Sequence, residues 1–371
     1  MTQEPVIRLS EMRMEGVGKR LGDVWAIKDV SMSIRPGDFY TVLGPPGSGK
    51  TMLLKMVAGL VVPDIGRIFV DDQVIDAVPS SQRNVGMVFQ RDSLWPHLSV
   101  FENVAFGLRV RREPSDQVGR KVEAALTRLG LDGMSGRRPA DLSLSQQRRV
   151  ALARMLVVQP RLLLLDEPLF DLDDQARSEM RHWLSRVHRE IGITTIHATR
   201  DHTEALALAT RIAVISGGRV IQEGRPPEVY WRPRNRFVAE FVGAANLVPV
   251  RVIELRDVGV VVETAGGAQL PVASGGHVWT LGARGLLCLR PEALVVEESA
   301  LARLGIPGTV TAYVFEGARQ FYEIDITGGT LRVEMVTSAL IGGGFRPGDR
   351  VKVEVSSETA VLMPVETSET P

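Results

Sequence analysis

A single cysteine, Cys288, occurs in the 371 residues. No internal disulfide is therefore available, and a lone thiol in an apolar, strand-like stretch reads as a buried, inert group in a reducing compartment. The chain also lacks an excess of charge of either sign. Its 44 Lys and Arg balance 44 Asp and Glu, so no global field draws it to nucleic acid or anionic lipid. The basic clusters at Arg109–Arg112 and Arg232–Arg236 read as solvated faces. No apolar run approaches the roughly 18–20 residues that cross a bilayer. The opening Met1-Thr2-Gln3-Glu4-Pro5 has no signal-peptide architecture. A protein that is soluble and cytoplasmic by itself is expected. There is no repeat of fixed period, and the length suggests two or three domains.

What is present is the octapeptide Gly44-Pro45-Pro46-Gly47-Ser48-Gly49-Lys50-Thr51, which fits the phosphate-binding pattern G-x-x-x-x-G-K-[ST]. It follows Phe39–Leu43, which reads as a buried strand, and precedes Met52–Leu60, which reads as a helix. Glycines at 44, 47 and 49 let the backbone wrap a polyphosphate, with N–H groups and a helix N-terminus aimed at its oxygens. Lys50 can reach the β- and γ-phosphates, and the Thr51 hydroxyl can ligate Mg²⁺. A nucleoside triphosphate with Mg²⁺ is the implied ligand.

Around this loop the pattern alternates. Val6–Met14 and Trp25–Ile34 pattern as antiparallel strands, and Arg67–Val70 and Val85–Phe89 as short ones. From Ser99 to Gln159 the period is helical, and Ser99 with Glu102 makes a capping box. Leu162–Leu165 is a continuous apolar run, as a central parallel strand should be. Helix Asp174–Glu190, strand Ile193–His197, helix Asp201–Ala209 with a box from Asp201 and Glu204, and strand Arg211–Ile215 follow. Past the Pro/Arg-rich Gly224–Arg236 and a short helix Phe237–Val242, composition turns to Val, Gly and Thr. Short runs from Val248 to Val355 read there as strands of a small barrel or sandwich.

The apolar run ends in Asp166-Glu167-Pro168. An acidic residue leaving a strand beside a phosphate loop holds Mg²⁺, which suits Asp166. Glu167 is then placed to take a proton from the attacking water.

With these residues in hand, the chain resembles the ATP-binding subunits of ABC transporters over nearly its whole length. Val85–Gln90 followed by Trp95-Pro96-His97-Leu98-Ser99-Val100 is similar to that family's glutamine loop. Leu142–Arg149 stands where the family carries L-S-G-G-Q, and Leu172-Asp173 matches the end of the D-loop. Leu289-Arg290-Pro291-Glu292 and Arg346-Pro347-Gly348-Asp349 resemble the regulatory domain of importer ATPases. The resemblance implies an α/β phosphate-loop NTPase domain at 1–242, with a helical subdomain at about 91–159. A small all-β, oligonucleotide-fold-like regulatory (TOBE-like) domain would then fill 243–371. It also implies that Gln90 touches Mg²⁺ and senses a membrane permease. Ser143, Ser145 and Gln146 would close on ATP held by a second subunit. A homodimer or heterodimer, a permease and, indirectly, a solute-binding protein become the expected partners. The chain would sit peripherally on the cytoplasmic side of the inner membrane.

The departures from the family are as informative. The segment Leu142-Ser143-Leu144-Ser145-Gln146 has lost both glycines. Arg200 stands where the family places a switch histidine, so a permanent cation replaces a neutral ring. It would serve as a catalytic contact or displace the water. His197 and His202 are out of register with that position. Leu21-Gly22 occupies the place of the base-stacking aromatic, with Trp25 nearby, and Phe170-Asp171 replaces two small residues at the start of the D-loop. Two functions follow: an ATPase that energises an importer, most similar to those for polyamines with ferric iron, sugar and sulfate relatives close, or an ATP-binding subunit poor in hydrolysis.

Overall fold

The computed structural model describes residues 9–90, 94–298, 305–337 and 344–365. Contacts divide the chain into two compact units, Met1–Pro226 and Pro227–Pro371. In the first unit the order is β1 (Met12–Leu21), β2 (Val24–Ile34), β3 (Phe39–Leu43), α1 (Lys50–Ala58), β4 (Ile65–Val70), β5 (Gln73–Val74) and β6 (Val85–Val88). Three helices follow, α2 (Val100–Val110), α3 (Ser115–Arg128) and α4 (Leu144–Leu156). Then come β7 (Leu162–Asp166), α5 (Asp174–Ile191), β8 (Thr195–Thr199), α6 (His202–Leu208), β9 (Arg211–Ser216) and β10 (Arg219–Gly224).

Two sheets result. One is antiparallel with order β2-β1-β4-β5, and the other has order β10-β9-β3-β8-β7-β6. In the second, β3, β8, β7 and β6 are mutually parallel, as is β9 with β3. Its central strands are buried on both faces, and β7 shows why its sequence is unbroken leucine. Leu162 and Leu164 enter a core with α1 and the antiparallel sheet, while Leu163 and Leu165 enter one with α2–α5. Alternating residues thus serve opposite cores.

Two strands differ from their sequence patterns. The pattern predicts a strand over Val6–Met14, of which residues 6–8 lie outside the described residues; β1 instead runs Met12–Leu21. Gly16, at φ 56°, sits in a register irregularity between Met14 and Val17, a bulge that reads as a strand end in sequence. The stretch Ile193–His197 predicts a strand that in the structure is Thr195–Thr199. Its parallel register with β3 begins at Phe39 opposite Thr195, while the Thr194 hydroxyl is used by Ser10 and Gly37. The shift matters, because it carries the strand up to Arg200. β5 and β10 have no apolar alternation to mark them in the sequence; both are edge strands.

The second unit holds α7 (Pro226–Trp231, whose first residue lies at the division), α8 (Arg236–Val242), β11 (Asn246–Leu255), β12 (Val260–Thr264), β13 (Gln269–Val272) and β14 (Arg284–Leu289). It continues through β15 (Leu294–Glu298), β16 (Ile306–Glu316), β17 (Arg319–Ile326), β18 (Gly329–Val336), β19 (Arg350–Val355) and β20 (Val361–Pro364). These form two five-stranded antiparallel sheets, β13-β12-β11-β14-β20 and β15-β19-β16-β17-β18, around one core of mainly Val, Leu and Ile. Composition shifts at 242/243, yet contacts divide the chain at 226/227. Arg290 is one residue that joins the intervening segment to the second unit. It is 1% exposed and donates to the carbonyl oxygens of Tyr230, Ala239, Gly243 and Ala244. Its guanidinium also lies 4.2 Å from the Tyr230 ring centroid. A buried cation satisfied by these carbonyls and this ring holds α7 and α8 to β14.

Candidate functional site

In an open α/β sheet, ligands bind beyond the carboxyl ends of the parallel strands. Here β3, β8 and β7 are consecutive. The loop after β3 carries residues 44–51, β7 ends in Asp166 and Glu167 follows it, and β8 is followed by Arg200. Strand order alone brings these three chain segments to one edge.

The phosphate loop is built for close approach. A side chain at Gly44 would lie 2.4 Å from the Ile215 carbonyl oxygen, and one at Gly49 2.6 Å from that of Ala26. Gly47 has open space around it but φ 77°, a backbone state that L side chains rarely adopt. Gly49 is the N-cap of α1 and supplies no side-chain cap, which leaves first-turn N–H groups for a ligand. The Ser48 hydroxyl is buried without a hydrogen-bond partner. An orphaned donor in a glycine cradle suits an anion.

Lys50 is 5% exposed. Its ammonium donates to the carbonyl oxygens of Gly44 at 2.8 Å and Pro45 at 3.0 Å and lies 3.9 Å from Glu167 Oε1. Burial lowers its pKa, against the pull of Glu167 and Asp166 in the other direction. The next residue, Thr51, donates its hydroxyl to Asp166 Oδ1 at 3.0 Å. Asp166 is itself buried, and burial pushes its carboxyl above the usual aspartate range. A hydroxyl beside a carboxylate whose charge is poorly solvated fits a small divalent cation of the Mg²⁺ type that takes its remaining oxygens from water and phosphate. Among the described residues there is no group of three or more His, Cys, Asp or Glu that could hold a metal.

Glu167 adopts φ 44°, and its N–H donates to the Ala198 carbonyl of β8 at 2.8 Å. Strained backbone of this kind at a strand end is a frequent attribute of functional residues. Gln90 donates its amide to Glu167 Oε2 at 3.1 Å, and Arg200 Nε lies 3.8 Å from the same oxygen. Of the candidates read from sequence, Lys50, Thr51, Gln90, Asp166, Glu167 and Arg200 therefore converge, with the Gly44–Gly49 loop around them. Gln90 meets the group through Glu167.

Ser143, Ser145 and Gln146 lie apart from this cluster. Ser143 and Gln146 close a reciprocal capping box at the start of α4, and Leu144 is exposed. His197 is fully buried in β8, 3.3 Å from the Thr41 hydroxyl and 3.5 Å from Glu204, so it faces the interior. Asp201 caps α6 as expected, but Glu204 does not return the bond. Its carboxylate accepts from the Thr199 hydroxyl instead. Sequence reading missed Arg148, a buried side chain that donates to the Gln90 carbonyl at 3.0 Å and lies 3.8 Å from Asp171. Nothing local marked it, since both partners are distant in sequence.

Relatives bear on what this site does. An ABC transporter family model matches residues 27–170 and a TOBE domain model residues 287–363. The spermidine/putrescine import ATP-binding protein of Methylococcus capsulatus is 40% identical over 94% of this chain and 91% of its own. This chain belongs to the ATP-binding subunits of ABC transporters. The ABC family member for Fe(3+) import in Agrobacterium fabrum is 39% identical over 85% of this chain and 88% of its own. A dimeric ATP-binding cassette solved in a post-hydrolysis state with ADP and Pi has TM-score 0.52 and 28% identity, covering 58% of this chain and 98% of that one. As an ABC importer subunit the chain binds nucleotide and is an ATPase coupled to transport. No helix among the described residues is long and apolar enough to cross a membrane.

Proposed function

We propose that this chain binds Mg²⁺·ATP at Gly44–Thr51 and hydrolyses it to drive a polyamine importer. The observation that carries the reading is the convergence of Lys50, Thr51, Asp166 and Glu167 at the ends of β3 and β7. Lys50 neutralises the β- and γ-phosphates, while loop N–H groups and the Ser48 hydroxyl donate hydrogen bonds to the other phosphate oxygens. Thr51 and Asp166, with Gln90 alongside, would hold Mg²⁺, which would supply positive charge against the phosphates. Glu167 receives the proton of the attacking water. Arg200 stabilises charge beside it.

Two copies are expected to pair, with Ser143, Ser145 and Gln146 of one facing ATP on the other, as the dimeric solved cassette makes natural. A membrane permease supplies the path for cargo, so the chain works peripherally on the cytoplasmic face of the inner membrane. A solute-binding protein acts through that permease, and nucleic acid is no partner. Polyamine is favoured over ferric iron, sugar or sulfate by the extent of the spermidine/putrescine relatives.

Co-expression with its permease in proteoliposomes tests the reading. ATP-dependent uptake of labelled spermidine or putrescine is expected, and Lys50→Ala should abolish it together with ATPase activity. Uptake of ferric iron or sulfate without polyamine uptake would reassign the cargo. Equal turnover by wild type and Lys50→Ala would remove the site. A second reading, a subunit that binds ATP but hydrolyses it poorly, is favoured by exposed Leu144 and by Arg200 in place of an imidazole. Background ATPase activity in the membrane complex with intact ATP binding would select it.

A further inference from the structure

Arg200 does not reach Glu167 unaided. Its side chain is 45% exposed, and a long exposed arginine samples many rotamers unless something holds it. The ring of Phe170 does so here, with the guanidinium carbon 4.2 Å from its centroid. Phe170 and Glu167 belong to one tight turn, closed by the Phe170 N–H donating to the Glu167 carbonyl at 3.2 Å. A single turn therefore carries both the carboxylate and the aromatic support for the cation beside it.

The two oxygens of Glu167 have different partners. Oε2 takes the Gln90 amide at 3.1 Å and faces Arg200 Nε at 3.8 Å. Oε1 is turned to Lys50, at 3.9 Å, on the phosphate-loop side. Glu167, Phe170 and Arg200 also line a cleft of about 370 Å³, shared with Arg177 and His202, that opens to solvent. Without the ring, the guanidinium has that space to swing into.

We propose that Phe170 is a positioning residue for hydrolysis: its ring holds Arg200 against Oε2 of Glu167, so that Oε1 is the oxygen presented to the phosphate loop. The inference rests on the reading of Glu167 as proton acceptor and adds a chain-specific pair to it. A π face is required, because a cation is attracted to the ring quadrupole and not to apolar bulk.

The test compares Phe170→Leu, which keeps apolar bulk, with Phe170→Tyr, which keeps the π face, in the full chain. Phe170→Leu should lower kcat about three- to tenfold with KM for ATP unchanged, and Phe170→Tyr should stay within about twofold of wild type. In an Arg200→Ala background Phe170→Leu should cost nothing further. Equal losses for Leu and Tyr, or additive losses with Arg200→Ala, would overturn the proposal. A separate readout does not depend on turnover. The Arg200 Nε–H resonance, assigned by its absence in Arg200→Lys, should shift in Phe170→Leu and hold in Phe170→Tyr; an unchanged resonance in Phe170→Leu also overturns it. Glu167→Gln with wild-type turnover would instead remove the proton-acceptor reading, leaving the Phe170–Arg200 contact to be judged by the resonance.

Discussion

Thr51 and Asp166 are joined by a 3.0 Å hydrogen bond across a separation of 115 residues. The bond ties the first turn of α1 to the end of β7 and sets hydroxyl and carboxylate side by side. It also places a charge where solvent does not reach.

Asp166→Asn keeps an oxygen to accept from Thr51 and deletes that charge. In the absence of nucleotide and Mg²⁺ the variant should be as stable as wild type or more stable, by about 1 kcal/mol, because a poorly solvated carboxylate is lost. Burial raises the folded pKa of Asp166 above its unfolded value. Its favourable contribution is therefore complete below the ordinary aspartate pKa and is lost as pH rises through the raised one. Calorimetry should find a smaller fall in stability over that window in Asp166→Asn. The added Tm that Mg²⁺·ATP gives wild type should shrink in the variant.

Glu167→Gln leaves an oxygen for the Gln90 amide while removing the carboxylate that faces Lys50 and Arg200. ATP should be retained and not turned over, and the ATP-bound pair should persist on size-exclusion chromatography, since a ligand that binds only the closed form shifts the population toward it. A hydrolysis rate within a few-fold of wild type would count against the role of Glu167.

Arg200→Ala should lower turnover on the order of 10²-fold, the scale on which loss of one transition-state contact is felt, with ATP affinity nearly intact. Arg200→His should recover part of it. If wild type is already slow and Arg200→Ala changes nothing, the hydrolysis-poor reading gains.

Truncation should reveal where the units divide. A chain ending at residue 242 keeps α7 and α8 without Arg290 and exposes Val238, Ala239 and Val242, which are fully buried in the intact protein. One ending at 226 leaves none of these behind. The shorter chain is expected to be the more soluble and to bind ATP, as measured by sedimentation and nucleotide titration. The reverse order would place the division later.

Cys288 is 2% exposed, and burial pushes its thiol pKa up. Little thiolate forms at neutral pH, so reaction with an aromatic disulfide reagent should be at least about 100-fold slower in the native protein than in guanidinium. Fast labelling of the folded chain would contradict that burial.

Much of this protein was legible in its sequence because the relevant constraints are local. Gly47 is needed for its backbone state, and Ser99 and Glu102 cap their own helix. The unbroken leucines of β7 announce a strand buried on both faces. Those features depend on neighbours a few residues away, so the pattern carries them. Tertiary structure alone decided the rest. It took the strand order β3-β8-β7 to bring Lys50, Glu167 and Arg200 together. The two-residue advance of β8 decided that Arg200 emerges at that edge. Arg148 on Gln90, Phe170 under Arg200 and Arg290 holding α7 and α8 join residues that no local spacing relates. The physical reason is that a side chain's partners are set by which strands are neighbours and where each one ends.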